Sequence, residues 1–345
     1  MSRGWRGEQD AEGRRREAGV SVTTHIFREP STPAVPRGAE GAIRHGFSSF
    51  YGAPIVEDID ALDADIGFVG VPFDGGTNDR PGARFGPAAV RDASSRYHPA
   101  AEWQGYIDAE RGVRILAGAS MVDVGDVDVR TVDLLENFAI ITDAARVVRK
   151  RCRVPVFIGG DHAITFPLVR AFDDTPLTLV QFDAHQDYTD EKYGVRYSHD
   201  NHMRRSSELP HVRQIVNIGL RGVLERFEPY EAAQRDGVVM VPAERIVREG
   251  VPRALEGLPG GGPAYVTIDI DVLDPAGAPG TGYPEPGGID YYGLKEALLL
   301  VAARYDVLGF DVAEIDPIYD TAGVTSRTAA KLILDFLGAI FARRS

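Results

Sequence analysis

Four segments of this chain share one construction: an apolar, β-prone run that stays apolar on both faces and then breaks into acid and histidine. "VPVFIGG" (154–160) leads into "DHAITFP", and "LTLVQFDAH" (177–185) ends in two such residues with another Asp close behind. "AYVTIDIDVLDP" (264–275) and "YDVLGFDVAEIDP" (305–317) carry carboxylates of their own. A strand that is apolar on both faces has to be covered on both faces, which suits a parallel sheet better than a sheet with one wet side. Further runs at 65–73, 212–220 and 237–242 are interleaved with helical patterns. Together they predict an α/β fold, a three-layer αβα sandwich around a mostly parallel sheet.

The helical segments support the outer layers. In "TVDLLENFAIITDAARVVRK" (131–150), Leu134, Leu135, Phe138, Ile141, Ala145 and Val148 recur at three- and four-residue steps, the spacing of an amphipathic helix. "YYGLKEALLLVAARY" and "TSRTAAKLILDFLGAIF" read the same way. Residues 1–45, with "GRRREAG" and "REPSTPAVPRG", are poor in core-forming side chains and read as a disordered or draped arm ahead of one domain over 46–345.

Composition narrows the class. A hydrophobic content of 43% over 345 residues can fill a substantial core. A formal charge of −13 argues against a nucleic-acid partner and fits a cationic substrate. The single cysteine, Cys152, makes no internal disulfide, and the expected location is cytoplasmic. No stretch approaches the roughly 18 uninterrupted apolar residues of a membrane span, so no membrane partner is expected.

In parallel α/β sheets, ligands bind at the carboxyl ends of the strands, where the polar residues of this chain collect. Asp161 and His162 follow the first of the four runs, Asp183, His185 and Asp187 the second, Asp269 and Asp271 the third, and Asp311, Glu314 and Asp316 the fourth. Side chains alternate along a strand, so Asp183, His185 and Asp187 can share a face, as can Asp269 and Asp271. Any one of these acids alone could simply cap a helix or close a turn. Converging at buried strand ends, they would repel one another unless a cation sat among them. Four Asp carry about four negative charges, which two divalent ions balance. An oxygen-rich donor set with imidazole and no thiolate suits Mn²⁺, with nickel, iron or cobalt as alternatives.

The motifs "GGDHAIT" (159–165), "FDAHQD" (182–187), "SHDNHMRR" (198–205), "IDIDVLDPAGAPGTGYPEPGG" (268–288) and "FDVAEIDP" (310–317) resemble the ureohydrolases, the family of arginase, agmatinase and guanidinobutyrase. "GVPFDGGTNDRPGARFGPAAVR" (70–91) resembles the agmatinase branch. The resemblance implies a catalytic domain over 46–345 that hydrolyses a small guanidino compound, agmatine first, to urea and an amine. Guanidinobutyrate, guanidinopropionate and simpler guanidines are the alternatives within the class. Outside it stand another two-metal hydrolase and a non-catalytic metal-binding relative.

The resemblance also implies two Mn²⁺ per subunit, in a homo-oligomer that is a trimer or a hexamer. His162, Asp183, Asp187 and Asp269 would hold one ion and Asp183, His185, Asp269 and Asp271 the other, bridged by Asp183 and Asp269. His199, Glu314 and Asp187 carry the catalytic expectation: His199 as proton shuttle, with His202 as a rival, and Glu314 as the partner of the substrate guanidinium. Asp200, Asn201, Thr281 and Glu314 are the expected substrate contacts. Asp200 and Asn201 stand where the agmatinase branch has small residues, and Tyr283 also replaces a smaller one. In an acidic protein the added Asp200 would favour a second positive charge on the substrate, whereas Arg204 and Arg205 would favour a carboxylate tail.

Overall fold

The computed structural model describes residues 48–344 apart from Glu57, 99–103 and 131–132, and the expected arm over 1–45 lies outside the described residues. The strands are β1 (Ala64–Val71), β2 (Tyr106–Asp108), β3 (Val113–Ile115), β4 (Met121–Asp126), β5 (Cys152–Gly159), β6 (Leu177–Phe182), β7 (Val212–Leu220), β8 (Val239–Pro242), β9 (Pro263–Asp269) and β10 (Asp306–Ala313). Eight of them form one sheet in the order β4-β1-β5-β10-β9-β6-β7-β8. Every neighbouring pair in it is parallel. β2 and β3 form a separate antiparallel hairpin.

Alternation along the strands fills two apolar layers. Val154, Val156, Ile158, Val266, Ile268 and Phe310 face one side, packed with Leu294, Leu298, Ile333 and Phe336 from the helices Tyr291–Arg304 and Val324–Arg344. Val69, Val71, Phe157, Leu179 and Tyr265 face the other, packed with Phe138, Ile141 and Val148 from the helix Leu134–Arg151. Each such side chain, fully removed from water, contributes about 1.5–3 kcal/mol. The helix Leu134–Arg151 opens on Asp133, whose carboxylate accepts from Glu136 N at 2.9 Å, and closes with Arg149, Lys150 and Arg151 against the negative end of its dipole. Leu135, expected in its apolar stripe, is exposed instead.

β4 was not expected from the sequence, because "MVDVGD" interrupts its apolar residues with acids. Its Asp123 is buried on this edge strand by a paired contact: Arg91 Nε and Nη2 donate to it at 3.0 and 3.1 Å, and Phe50 N donates at 2.9 Å. A buried carboxylate held by a guanidinium fork is tolerated where a lone one is not.

The four strands that end in acid and histidine are adjacent in the sheet. β10 and β9, made late in the chain, lie between β5 and β6, so the carboxyl ends of β5, β10, β9 and β6 form one row. That is the place where a doubly wound sheet leaves a crevice.

Candidate metal centre

β5 ends in Gly159 and Gly160, and the second of these is obligatory: a Cβ on Gly160 would fall 1.6 Å from the carbonyl oxygen of Phe73. The close approach lets Asp161 turn inward and cap the short helix His162–Ile164, its carboxylate accepting from Ala163 N at 3.0 Å and Gly76 N at 2.6 Å. Asp161 therefore builds the loop, and the next residue enters the crevice.

His162 is buried and its two ring nitrogens have different partners. Nε2 lies 2.8 Å from Thr267 Oγ1, and that hydroxyl lies 2.8 Å from Asp311 Oδ1. The threonine has one proton, which goes to the carboxylate, so it accepts from Nε2–H. This fixes the tautomer and leaves Nδ1 as a bare lone pair. Nδ1 points at three carboxylate oxygens, Asp183 Oδ2 at 3.0 Å, Asp269 Oδ2 at 3.2 Å and Asp187 Oδ2 at 3.3 Å, and has no hydrogen-bond partner among the described residues. A lone pair facing three carboxylates is repulsive until a cation stands between them, and these donors fit a hard divalent ion.

A second cluster adjoins the first. His185 Nδ1 lies 2.9 Å from Asp271 Oδ2 and 3.5 Å from Asp183 Oδ1. Asp183 thus turns one oxygen to each cluster. Its side chain also accepts from Gln181 Nε2 and from His185 N, each at 2.5 Å. Asp269 reaches the first cluster through Oδ2, while its Oδ1 accepts from Asp271 N at 2.8 Å. Asp271 Oδ1 accepts from Ala184 N at 3.1 Å. The six residues singled out as ligands in the sequence are brought to one place, and His202 joins them: His162, Asp183, Asp187 and His202 offer donor atoms within 4.8 Å of one another, as do Asp183, His185 and Asp271.

The protein's own charges do not settle this array. Burial drives the Asp187 carboxyl up to about 8, with the charge of Asp183 pushing the same way, and Asp269 is held well above its ordinary range by burial, Asp271 and Asp183. Without a cation, protons on the His162 and His185 rings would stand in for it: burial disfavours both charged rings, yet these carboxylates push them above their ordinary range, and the two charged imidazoles hold the buried Asp183 well below its own. Asp187 has φ +50° and Glu314 φ +59°, left-handed values that are uncommon outside glycine and that collect at functional sites.

Glu314 follows β10. Its backbone N–H donates to Gly160 O at 2.8 Å, and its Oε1 accepts from His162 N at 2.8 Å. Gly282 adjoins the other carboxylate oxygen: a Cβ built on it would lie 3.6 Å from Glu314 Oε2, an ordinary contact. His199 Nδ1 is 3.4 Å from Glu314 Oε1 and its Nε2 is 3.5 Å from Asp200 Oδ1. Burial disfavours the charged ring, yet Glu314 and Asp200 outweigh it and push His199 up to about 9. The Tyr283 ring stands edge-on to His185 and His199, with centroids 5.6 and 6.1 Å away.

Several expected substrate contacts have other partners. Asp200 pairs with Lys192 Nζ at 2.9 Å and accepts from Asn78 Nδ2, so it offers no unpaired charge for a second cation. Asn201 is fully buried and closes its own turn, its Oδ1 accepting from Ser198 N at 2.6 Å. Arg205 is buried against Asp190 and Glu208 at 2.5 and 3.0 Å, and Arg204 lies over the Tyr188 ring with Glu228 at 3.5 Å. Neither points to a carboxylate tail. Thr281 is buried, and its hydroxyl has no partner among the described residues.

Of the layer beneath the ligands, sequence reasoning singled out only Asp311. Asn217, Gln181, Thr267 and Asp311 are side by side on β7, β6, β9 and β10, all buried. Asn217 Nδ2 donates to Gln181 Oε1 at 3.0 Å, which orients the amide that holds Asp183. The signal was a polar residue two positions before the acid in two runs, Gln181 before Asp183 and Thr267 before Asp269. Arg221 was also missed; it donates to the carbonyls of Asp271 at 2.6 Å and Glu285 at 2.8 Å, tying two site loops together.

A parallel αβα sandwich with two histidine–carboxylate clusters sharing one aspartate at its strand ends defines the class: a protein built around a candidate binuclear metal centre. The arginase family model matches residues 64–338. Guanidinopropionase from Pseudomonas aeruginosa is 36% identical over 303 residues, covering 85% of this chain and 91% of the relative. The mitochondrial agmatinase of Gallus gallus is 36% identical over 322 residues, covering 90% and 91%. The solved structure of proclavaminate amidino hydrolase from Streptomyces clavuligerus superposes with a TM-score of 0.75 at 32% identity, covering 86% of this chain and 97% of that one. The chain belongs to the arginase family.

Proposed function

We propose that this protein hydrolyses a guanidino compound to urea and an amine with two divalent ions, Mn²⁺ by donor type, held by His162, Asp183, Asp187, Asp269, His185 and Asp271. The observation that carries the reading is Glu314: a buried carboxylate, pinned through Oε1 by the backbone N–H of His162 and 3.4 Å from His199 Nδ1, with Oε2 beside Gly282. A planar guanidinium pairs with such a carboxylate in a bidentate fork, which sets its carbon over the two clusters. When bound, the ions activate water as a nucleophile at neutral pH and stabilise developing negative charge. Guanidinium is a poor electrophile, so both contributions are needed.

His199 is the proton donor to the departing amine. Held between Glu314 and Asp200 and pushed up to about 9, it keeps its proton at neutral pH, next to the carboxylate that orients the substrate. The unpartnered Thr281 hydroxyl accepts from a substrate N–H. Agmatine was favoured by the added Asp200, and the Lys192–Asp200 pair removes that reason. The named relatives act on agmatine and guanidinopropionate, and those two head the panel of substrates.

Urea release by the Mn²⁺-loaded protein across agmatine, guanidinopropionate, guanidinobutyrate, arginine, methylguanidine and guanidine tests the reading. Urea from at least one is expected; phosphatase activity without urea from any would replace it with a different two-metal hydrolase. The tail is limited by Tyr283, which is wedged at the mouth between the two histidines. Tyr283→Ala is expected to raise kcat/KM for the longest substrates about tenfold relative to the shortest, the scale of one lost pocket contact. An unchanged ranking of substrates in that variant argues that the ring does not limit the tail.

A further inference from the structure

His202 stands three residues after His199 and has no part in the reaction just described. It is 1% exposed, its ring is tilted 40° to the His162 ring with centroids 4.0 Å apart, and Nε2 lies 2.8 Å from Asp187 Oδ2. Nδ1 is buried and has no hydrogen-bond partner among the described residues. The neutral imidazole carries one proton. On Nδ1 it would be a buried donor with no acceptor; on Nε2 it meets a carboxylate oxygen at ordinary hydrogen-bond length. The proton therefore sits on Nε2, and a protonated nitrogen cannot also bind a metal.

We infer that His202 is a positioning residue for the ion on the His162 side, its Nε2–H holding Asp187 Oδ2 in the direction of His162 Nδ1 while its helix holds the Asp187 backbone. The inference rests on the two-ion reading. The backbone half of the clamp is visible: Met203 N and Arg204 N, at the start of the helix His202–Ser207, donate to Asp187 O at 3.2 and 3.4 Å. Asp187 needs such support because its backbone is in the left-handed region, where a flexible loop would not hold an aspartate. His202 is also removed from proton traffic: it is enclosed under His162, whereas His199 stands beside Glu314 and the Tyr283 ring.

The test measures metal binding, separately from turnover. Mn²⁺ is titrated into the full-length metal-free protein, and the free ion is followed by its aqueous electron paramagnetic resonance signal. The wild type is expected to bind two ions. His202→Leu is expected to weaken one of them about 10- to 100-fold, the usual cost of losing a hydrogen bond to a ligand, and to leave the other unchanged. His202→Gln, which returns an N–H near the same point, is expected to recover most of that loss.

Equal binding of both ions by His202→Leu overturns the inference, as does a His202→Gln as weak as His202→Leu. X-ray absorption on the loaded wild type tests it with no variant. One imidazole per ion is expected, from His162 and His185, and three imidazoles over two ions overturn it by making His202 a ligand. A wild type that binds fewer than two ions overturns the two-ion reading itself, a result distinct from the others.

Discussion

Asp183→Asn is expected to strip the protein of both ions and to lower urea release about 10³-fold or more. Asp183 turns an oxygen to each cluster, 3.0 Å from His162 Nδ1 and 3.5 Å from His185 Nδ1. An amide in its place presents a neutral oxygen to one cluster and N–H donors to the other, so each donor set loses charge and one faces a repulsive group. Several kcal/mol of catalysis come from metal-activated water, and each 1.36 kcal/mol is tenfold in rate. Metal content after dialysis and kcat/KM check the expectation. Thermal unfolding separates it from misfolding: only the wild type should gain stability on adding Mn²⁺, because an ion stabilises only a state that binds it. A fully active Asp183→Asn enzyme would rule out a shared aspartate as the link between the ions.

Glu314→Gln is expected to keep both ions yet lower kcat/KM roughly 30- to 5,000-fold, the effect of about 2–5 kcal/mol for breaking a buried charge pair. The pH dependence should move as well. Glu314 is the main reason that His199 is pushed up to about 9 in spite of burial. Without that charge the histidine gives up its proton at lower pH, so the alkaline limb of kcat shifts to lower pH. A variant that loses activity with its pH profile unmoved would separate Glu314 from His199 and leave only the substrate contact.

The place of this site could be read in the sequence because its acids and histidines collect where the apolar runs end. A shared strand face is not what unites them in the structure: Asp183, His185 and Asp187 lie past the end of β6, with Asp187 in the left-handed region, and Asp271 lies in the short helix Ile270–Val272, so loop geometry brings them to one centre. The three-layer fold was legible because strands buried on both faces leave runs with no polar alternation. β4 was hidden because Asp123 needs Arg91, a partner 32 residues away that no local pattern announces. The partner of Asp200 was hidden in the same way. Its charge is visible in the sequence, but Lys192 reaches it only through the fold of the 190–200 loop. His202 read as a second shuttle because sequence distance places it beside His199. In the folded chain it faces the carboxylate of Asp187 instead.

The strand order also dictates when the centre can exist. β5 and β6, with His162, Asp183, His185 and Asp187, are complete by the middle of the chain, whereas β9 and β10, which must slot between them, begin only at Pro263 and Asp306. During synthesis the first four of the six donors therefore wait with their central neighbours missing. Adjacent strands from distant parts of a chain are slow to pair, because the loop between them has to close first. Ion capture at full strength is consequently a closing event of folding, dependent on the segment from Pro263 onward. A chain truncated before β9 would retain four of the six proposed ligands and still lack the sheet that aims them.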